Sequence, residues 1–267
     1  MIGVNKFITP SSFSSITYDT DAQAYFTRAG ITDTTEKNAW NTFVLAAKAA
    51  NIYSKFIAVY PVSPTSIGAS YNNAISSSYT LTSAASPSFS TNGWTGDGAT
   101  QFIRTGIIPN THLTLDDTTI GWRVKTSAVR TGIDWGVTDA TTSQMYGRSR
   151  FTGDVTRFMY QSNASVYDLT NATGAANFFM TASGATARNI RRNTTSLGTS
   201  AATHAPTGSQ PTREIYLLGR NNAGTADQFC PINMNFWFVS TALSGAECDT
   251  LSGLIDTYSA NVISGGR

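Results

Sequence analysis

Hydrophobic positions change period twice along this chain. Between Thr20 and Asn51 they recur every three to four residues, from about Trp94 they alternate, and after Leu243 the helical spacing returns. In the first stretch Thr20 and Gln23 form a capping box, and Ala22, Tyr25, Phe26 and Ala29 share one face. Gly30 ends that helix, because glycine tolerates the left-handed backbone just past a C-terminus. Asp33 with Glu36 opens a second helix, whose stripe is Trp40, Phe43, Val44 and Ala47 and whose stop is Asn51. The two stripes predict a helical hairpin packed on one body. Ahead of it, Met1 to Tyr18 is an extended arm of short apolar islands, lying on its own domain or on a neighbour.

The alternating part predicts strands. Phe56 to Val62 is a short apolar run, and Ser63 to Ser90 is polar and reads as loop. Ile120, Trp122 and Val124 alternate with Gly121, Arg123 and Lys125, and Ile133, Trp135 and Val137 alternate with Asp134 and Gly136. Further runs lie at 157–160, 178–181, 187–191 and 214–218. Ile232, Met234, Phe236 and Phe238 are assigned to one face, with Asn233, Asn235 and Trp237 on the other. Many short strands with turn residues between them predict a mainly β fold, an antiparallel two-sheet sandwich or jelly roll. A C-terminal helix closes it: Ser244 and Glu247 make a capping box, Leu243 and Cys248 a hydrophobic staple, and Leu251, Leu254, Ile255, Tyr258 and Val262 a stripe. The expected organisation is an arm over 1–18, a helical hairpin plus strand over 19–62, and a sandwich with its closing helix over 63–267.

Composition fits a packed fold. Aromatic residues are 11% and charged residues 13% of the chain, against a usual charged share of about 25%. A net charge of +2 gives no electrostatic case for nucleic acid. The one dense basic cluster, Arg188, Arg191 and Arg192, reads as a solvated strand face or loop. Cys230 and Cys248 read as two buried thiols rather than a bridge, and His112 and His204 are too few for a histidine-rich metal site. No apolar run approaches the roughly 18 residues of a membrane span.

Catalytic sets are missing from the pattern. There is no G-x-S-x-G elbow, and of the glutamates Glu36, Glu214 and Glu247, two are assigned to helix caps. A glycosidase needs two carboxylates across the scissile bond, so no enzyme is expected. Asp97, between Gly96 and Gly98, is a candidate Ca²⁺ ligand or, on the other reading, the head of an Asx turn. No other cofactor is expected. Trp94, Tyr146 and Trp237 are the candidate glycan contacts, because sugar rings stack on aromatic faces.

Several segments also resemble a known family. Asp21 to Phe26, Ala29-Gly30-Ile31-Thr32-Asp33, Tyr53-Ser54-Lys55-Phe56 and Ala58-Val59-Tyr60-Pro61 are similar, in that order, to a module of bacteriophage structural proteins. Asn92 to Gly98 with Phe102 to Gly106, and Tyr216 to Asn222 with Phe236-Trp237-Phe238 and Leu243 to Glu247, resemble the concanavalin A-like (laminin G-like) domains attached to it. The resemblance implies a non-enzymatic virion component: tail fibre or tip, baseplate or capsid decoration. It implies other virion proteins and further copies of the chain as partners. The protein is then expected to be made in the host cytoplasm and carried in the virion, with no catalytic residue transferred. The alternative is a carbohydrate-binding, lectin-like module that takes a host-surface glycan.

Overall fold

The computed structural model describes residues 16–139, 143–162, 166–184, 187–200 and 210–263. Two sheets face each other. The first runs, in spatial order, through strands Thr195–Ser200, Arg188–Arg192, Ala176–Ala182, Thr118–Val124, Asn233–Ser240, Gly93–Thr95 and Ser88–Ser90, and Phe56–Pro61 also pairs along Asn233–Ser240. The second runs through Tyr167–Thr170, Val155–Ser162, Ser143–Phe151, Trp135–Asp139, Tyr216–Leu217, Phe102–Arg104 and Thr82–Ala84. A hairpin of Arg220–Asn222 and Thr225–Asp227 joins this second sheet by a parallel contact to Trp135–Asp139. The other pairings among the described strands are antiparallel, and the mainly β, two-sheet concanavalin A-like sandwich expected from the sequence is the fold observed.

Between the sheets lies a core built on Trp94, Trp122, Trp135, Trp237, Phe178 and Met145. A second core lies on the outer face of the first sheet, where three helices cover Phe179, Phe236 and Phe238. Both faces of its central strands, Ala176–Ala182, Thr118–Val124 and Asn233–Ser240, are thus buried, so these lack the polar side of a solvated strand. Gly121 shows how close the helix-side layer packs: a Cβ there would overlap the Phe238 ring.

The helices form largely where the pattern puts them. The first spans Thr20–Ala29, but its cap is Asp19, which accepts from the Asp21 backbone N–H at 3.0 Å, in place of the Thr20–Gln23 box. Gly30 follows in the left-handed region at φ 67°. The second spans Thr34–Ala49, capped by Asp33, whose carboxylate accepts from the Glu36 N–H at 2.9 Å. The Glu36 carboxylate itself reaches Thr65 Oγ1 at 2.8 Å. The C-terminal helix spans Gly245–Ile263, and Ser244 and Glu247 cap each other reciprocally at 2.8 and 3.3 Å. Ser63–Ser90 holds more structure than its composition predicts: a short helix at Ile67–Ser70 and strands at Thr82–Ala84 and Ser88–Ser90.

Two face assignments are corrected. On Asn233–Ser240 the register against Thr118–Val124 passes from Met234↔Val124 to Phe236↔Arg123, leaving Asn235 as the extra residue of a bulge. The bulge reverses the pleat. Ile232 and Met234 face the inter-sheet core with Trp237 and Val239, whereas Phe236 and Phe238 face the helices. Ile133 likewise parts from Trp135 and Val137, and packs with Tyr146 and Met159 on the opposite side. The arm residues 1–15 lie outside the described residues. Tyr18 packs edge-on to Phe26 of the first helix with ring centroids 5.3 Å apart.

Candidate functional site

Among the described residues no helix layer covers the outer face of the second sheet, and a row of side chains crosses it. Ile103 and Leu217 point into the inter-sheet core, so the pleat turns their neighbours Arg104 and Tyr216 outward. Arg104 pairs with Tyr216, Tyr216 with Gly136, and Gly136 with Tyr146. Gly136 stands where a side chain would collide: a Cβ would lie 2.7 Å from that of Tyr146.

Around Tyr216 the row opens into a cleft of 430 Å³, within the roughly 300–1,000 Å³ usual for small-molecule sites. Tyr216 lies at its base, 5% exposed and stacked on the half-buried Phe102 at 4.6 Å between ring centroids. The Arg104 guanidinium lies 6.0 Å from the Tyr216 centroid. Glu214 accepts from Arg104 Nε at 2.7 Å and from the Gly106 backbone N–H at 2.9 Å. Pairing with Glu214 raises the Arg104 pKa, and burial raises that of the Tyr216 phenol, so both keep their protons at neutral pH. Asn221 is fixed at the wall: its Nδ2 donates to the Glu214 carbonyl at 2.9 Å and its Oδ1 accepts from the Gly224 N–H at 2.8 Å. Ala223 and Gly224, at φ 52° and 100°, make the tight turn that brings this about. Arg213 stands exposed at the rim, with no ion pair among the described residues.

A second cavity of 350 Å³ lies at the start of the C-terminal helix. There Ser244 and Glu247 are occupied with each other, and Glu247 also pairs with Lys55 at 2.5 Å. Those groups serve the helix cap.

The sequence-chosen residues fall elsewhere. Trp94 and Trp237 are fully buried in the inter-sheet core, where Trp237 meets Tyr60 at 5.8 Å, so neither can touch a glycan. Trp237 does lie opposite Phe236, but that side is the interior of the sandwich. Tyr146 is on the open face yet only 6% exposed, lying under Arg148. Asp97 heads a turn: Oδ1 accepts from the N–H groups of Ala99, Thr100 and Gln101, each at 2.9 Å, and Oδ2 from Thr100 Oγ1 at 2.7 Å. Those backbone bonds hold its carboxyl well below the usual range. Among the described residues no group of three His, Cys, Asp or Glu is placed to hold a metal.

The basic trio is not a solvated patch. Arg188 is 3% exposed and pairs with Asp116 at 3.0 Å, Arg191 pairs with Asp249, and Arg192 donates to Asn171 Oδ1 at 2.5 Å. Cys230 and Cys248 are free and buried, and burial pushes both thiols up, Cys248 to about 11. No described helix is long and apolar enough to cross a membrane.

Sequence reasoning missed Arg104, Glu214, Tyr216 and Asn221 as a site. Two signals pointed there. Glu214 was the glutamate left without a cap, and the segments at 102–106 and 216–222 were already singled out by resemblance.

No known family model matches the chain, and no curated protein does. Solved structures share the fold. One is domain 4 of AbnA, an extracellular arabinanase from Geobacillus stearothermophilus, in complex with arabinotriose; it matches at 12% identity and TM-score 0.55. The match covers 74% of this chain and 98% of that one. A botulinum neurotoxin type C structure, described as interacting with two ganglioside molecules, matches at 11% identity and TM-score 0.55, over 78% of this chain and 53% of that one. A mutant Trypanosoma rangeli sialidase with trans-sialidase activity matches at 11% identity and TM-score 0.56, over 82% and 39% respectively. The chain therefore spans nearly all of the arabinanase domain, but about half or less of the other two. At such identities the likeness is one of architecture: this chain shares their two-sheet β-sandwich.

Proposed function

We propose that this chain is a non-catalytic carbohydrate-binding module that holds its glycan in the cleft lined by Arg104, Glu214 and Arg213. One observation carries the reading: on the sheet face that the described helices leave open, the exposed Arg104 is held in place by Glu214 at the edge of Tyr216, with the exposed Thr212 and Arg213 beside it. Sugar hydroxyls need donors and acceptors held in place, which the Arg104–Glu214 pair supplies. Arabinotriose and gangliosides in the descriptions of two structural neighbours support the same reading. Hydrolysis is left out of it. Glu214 is the one carboxylate among the described residues that line the cleft, whereas glycosidases work with two, about 5–10 Å apart.

A glycan array followed by titration calorimetry tests this. The best ligand should lose at least about tenfold in affinity with Arg104→Ala, an exposed change that leaves the circular dichroism spectrum unaltered. A chain that binds no glycan at millimolar concentration sinks the proposal.

The virion role implied by the order of the sequence motifs would be the setting for such a module, as a host-surface contact carried with other virion proteins and further copies of the chain. Its support is the motif resemblance alone. Mass spectrometry of purified particles lacking this chain would end it.

A further inference from the structure

The row on the open face continues past Gly136 to Tyr146, and there a positive charge is left over. Arg148, Arg157, Arg220 and Asp168 all act electrostatically on the Tyr146 phenol. Arg157 grips Asp168 at two points, 2.6 and 2.5 Å. Arg220 grips Asp227 in the same way, at 2.8 and 2.6 Å. Arg148 has no carboxylate partner among the described residues.

Arg148 is also the most buried of the three, at 7% exposure. Its guanidinium lies 4.5 Å from the Phe151 ring centroid and 5.4 Å from that of Tyr146. Among the described residues its Nε meets no acceptor. Its hydrogen bond goes from Nη2 to Oε1 of Gln228, a neutral amide on an exposed residue. Asp134, which also acts on Arg148 through space, is turned the other way, accepting from Trp122 Nε1 at 3.0 Å and Ser149 N–H at 2.7 Å. Burial alone already lowers the Arg148 pKa. A buried cation without a counter-ion is costly, and folded proteins pair such groups. Its two neighbours display the geometry this face favours, a flat two-point grip on a carboxylate.

We propose that the open face takes an acidic sugar, whose carboxylate displaces the Gln228 amide from Arg148 while the rest of the glycan runs toward Tyr216. Tyr146 and Tyr216 flank Gly136, two strand spacings or about 10 Å apart. The inference rests on the sugar-binding reading of the cleft and adds the class of sugar. A sulfate ester shares the anionic chemistry, so it enters the test as a rival source.

The experiment is titration calorimetry on the full chain with one oligosaccharide in three forms: uronic acid-bearing, carboxyl-reduced and sulfated. The acid form should bind about ten- to a hundredfold more tightly than the reduced form. Arg148→Gln should abolish that preference and keep the affinity for the reduced form. It should also leave Tm equal or higher, because it removes an unpaired buried charge; an arginine kept for stability would lower Tm when replaced. Equal binding of acid and reduced forms to the unaltered protein, which needs no variant, overturns the inference and leaves the sugar-binding reading standing. Tighter binding of the sulfated form overturns the choice of carboxylate. Binding of none of the three overturns both.

Discussion

The two outer faces of the sandwich carry opposite solutions to the same problem. On the first sheet, Phe179, Phe236 and Phe238 are closed over by Trp40, Phe43, Tyr258 and their helices. On the second, Arg104, Arg157 and Arg220 are each held by a carboxylate, and the aromatics Phe102, Phe151 and Tyr216 lie among them. One face gains stability by excluding water. The other keeps polar groups oriented in water, where exposed ion pairs contribute only about 0–1 kcal/mol each. The difference teaches where function can vary: the exposed charged side chains of the second face can change with little effect on the fold, whereas the buried aromatics of the first cannot.

Breaking the helix-covered face should have the largest effect. Phe238→Ala removes the ring packed over Gly121 and should cost about 3–5 kcal/mol in denaturant unfolding, while the protein that remains folded keeps the glycan affinity proposed for the cleft. A loss of affinity with little loss of stability would erase the division between the faces. A milder version is Ser244→Ala, which takes one half of the reciprocal cap from the C-terminal helix and should cost about 1 kcal/mol, again with binding unchanged.

The smallest effect is expected at the loop between the sheets, headed by Asp97. Its folded pKa is depressed by backbone hydrogen bonds, so its contribution is complete above the unfolded carboxyl value of about 4. That contribution is lost as pH falls from there through the folded value. NMR titration should show the Asp97 side chain ionised at pH values where ordinary aspartates have protonated, with the Ala99 to Gln101 amides shifting only when it does. A normal titration would remove the turn as a fixed link between the faces.

Legibility in the sequence followed the physics of each region. Helix ends were readable because caps are local: Gly30, Asp33, Ser244 and Glu247 act within a few residues of themselves. Strands were readable as alternation, but their inner and outer faces were not, since the first sheet buries both sides and the Asn235 bulge reverses the pleat partway along. The polar stretch after Val62 misled for another reason. Asn73 is buried there, accepting from the Val59 and Ile75 N–H groups at 3.0 Å each, so a polar side chain does the work of backbone pairing. The cleft was the hardest to see, because Arg104 and Glu214 meet only through strand pairing across a separation of 110 residues.

The position of strand Asn233–Ser240 also has a bearing on how the chain is made. It lies in the middle of the first sheet, flanked by Thr118–Val124 on one side and by Phe56–Pro61 and Gly93–Thr95 on the other, yet it follows all of them in the sequence. Contacts between such distant segments form slowly, because loop-closure entropy is lost before the pairing rewards it. During synthesis the earlier strands therefore wait as open edges, with Trp122, Phe178 and Phe179 uncovered. Those are the conditions under which a nascent chain aggregates or engages a chaperone. The keystone of the sheet is laid only after all its neighbours have been made, so synthesis of this strand, rather than local helix formation, sets when the sheet can first close.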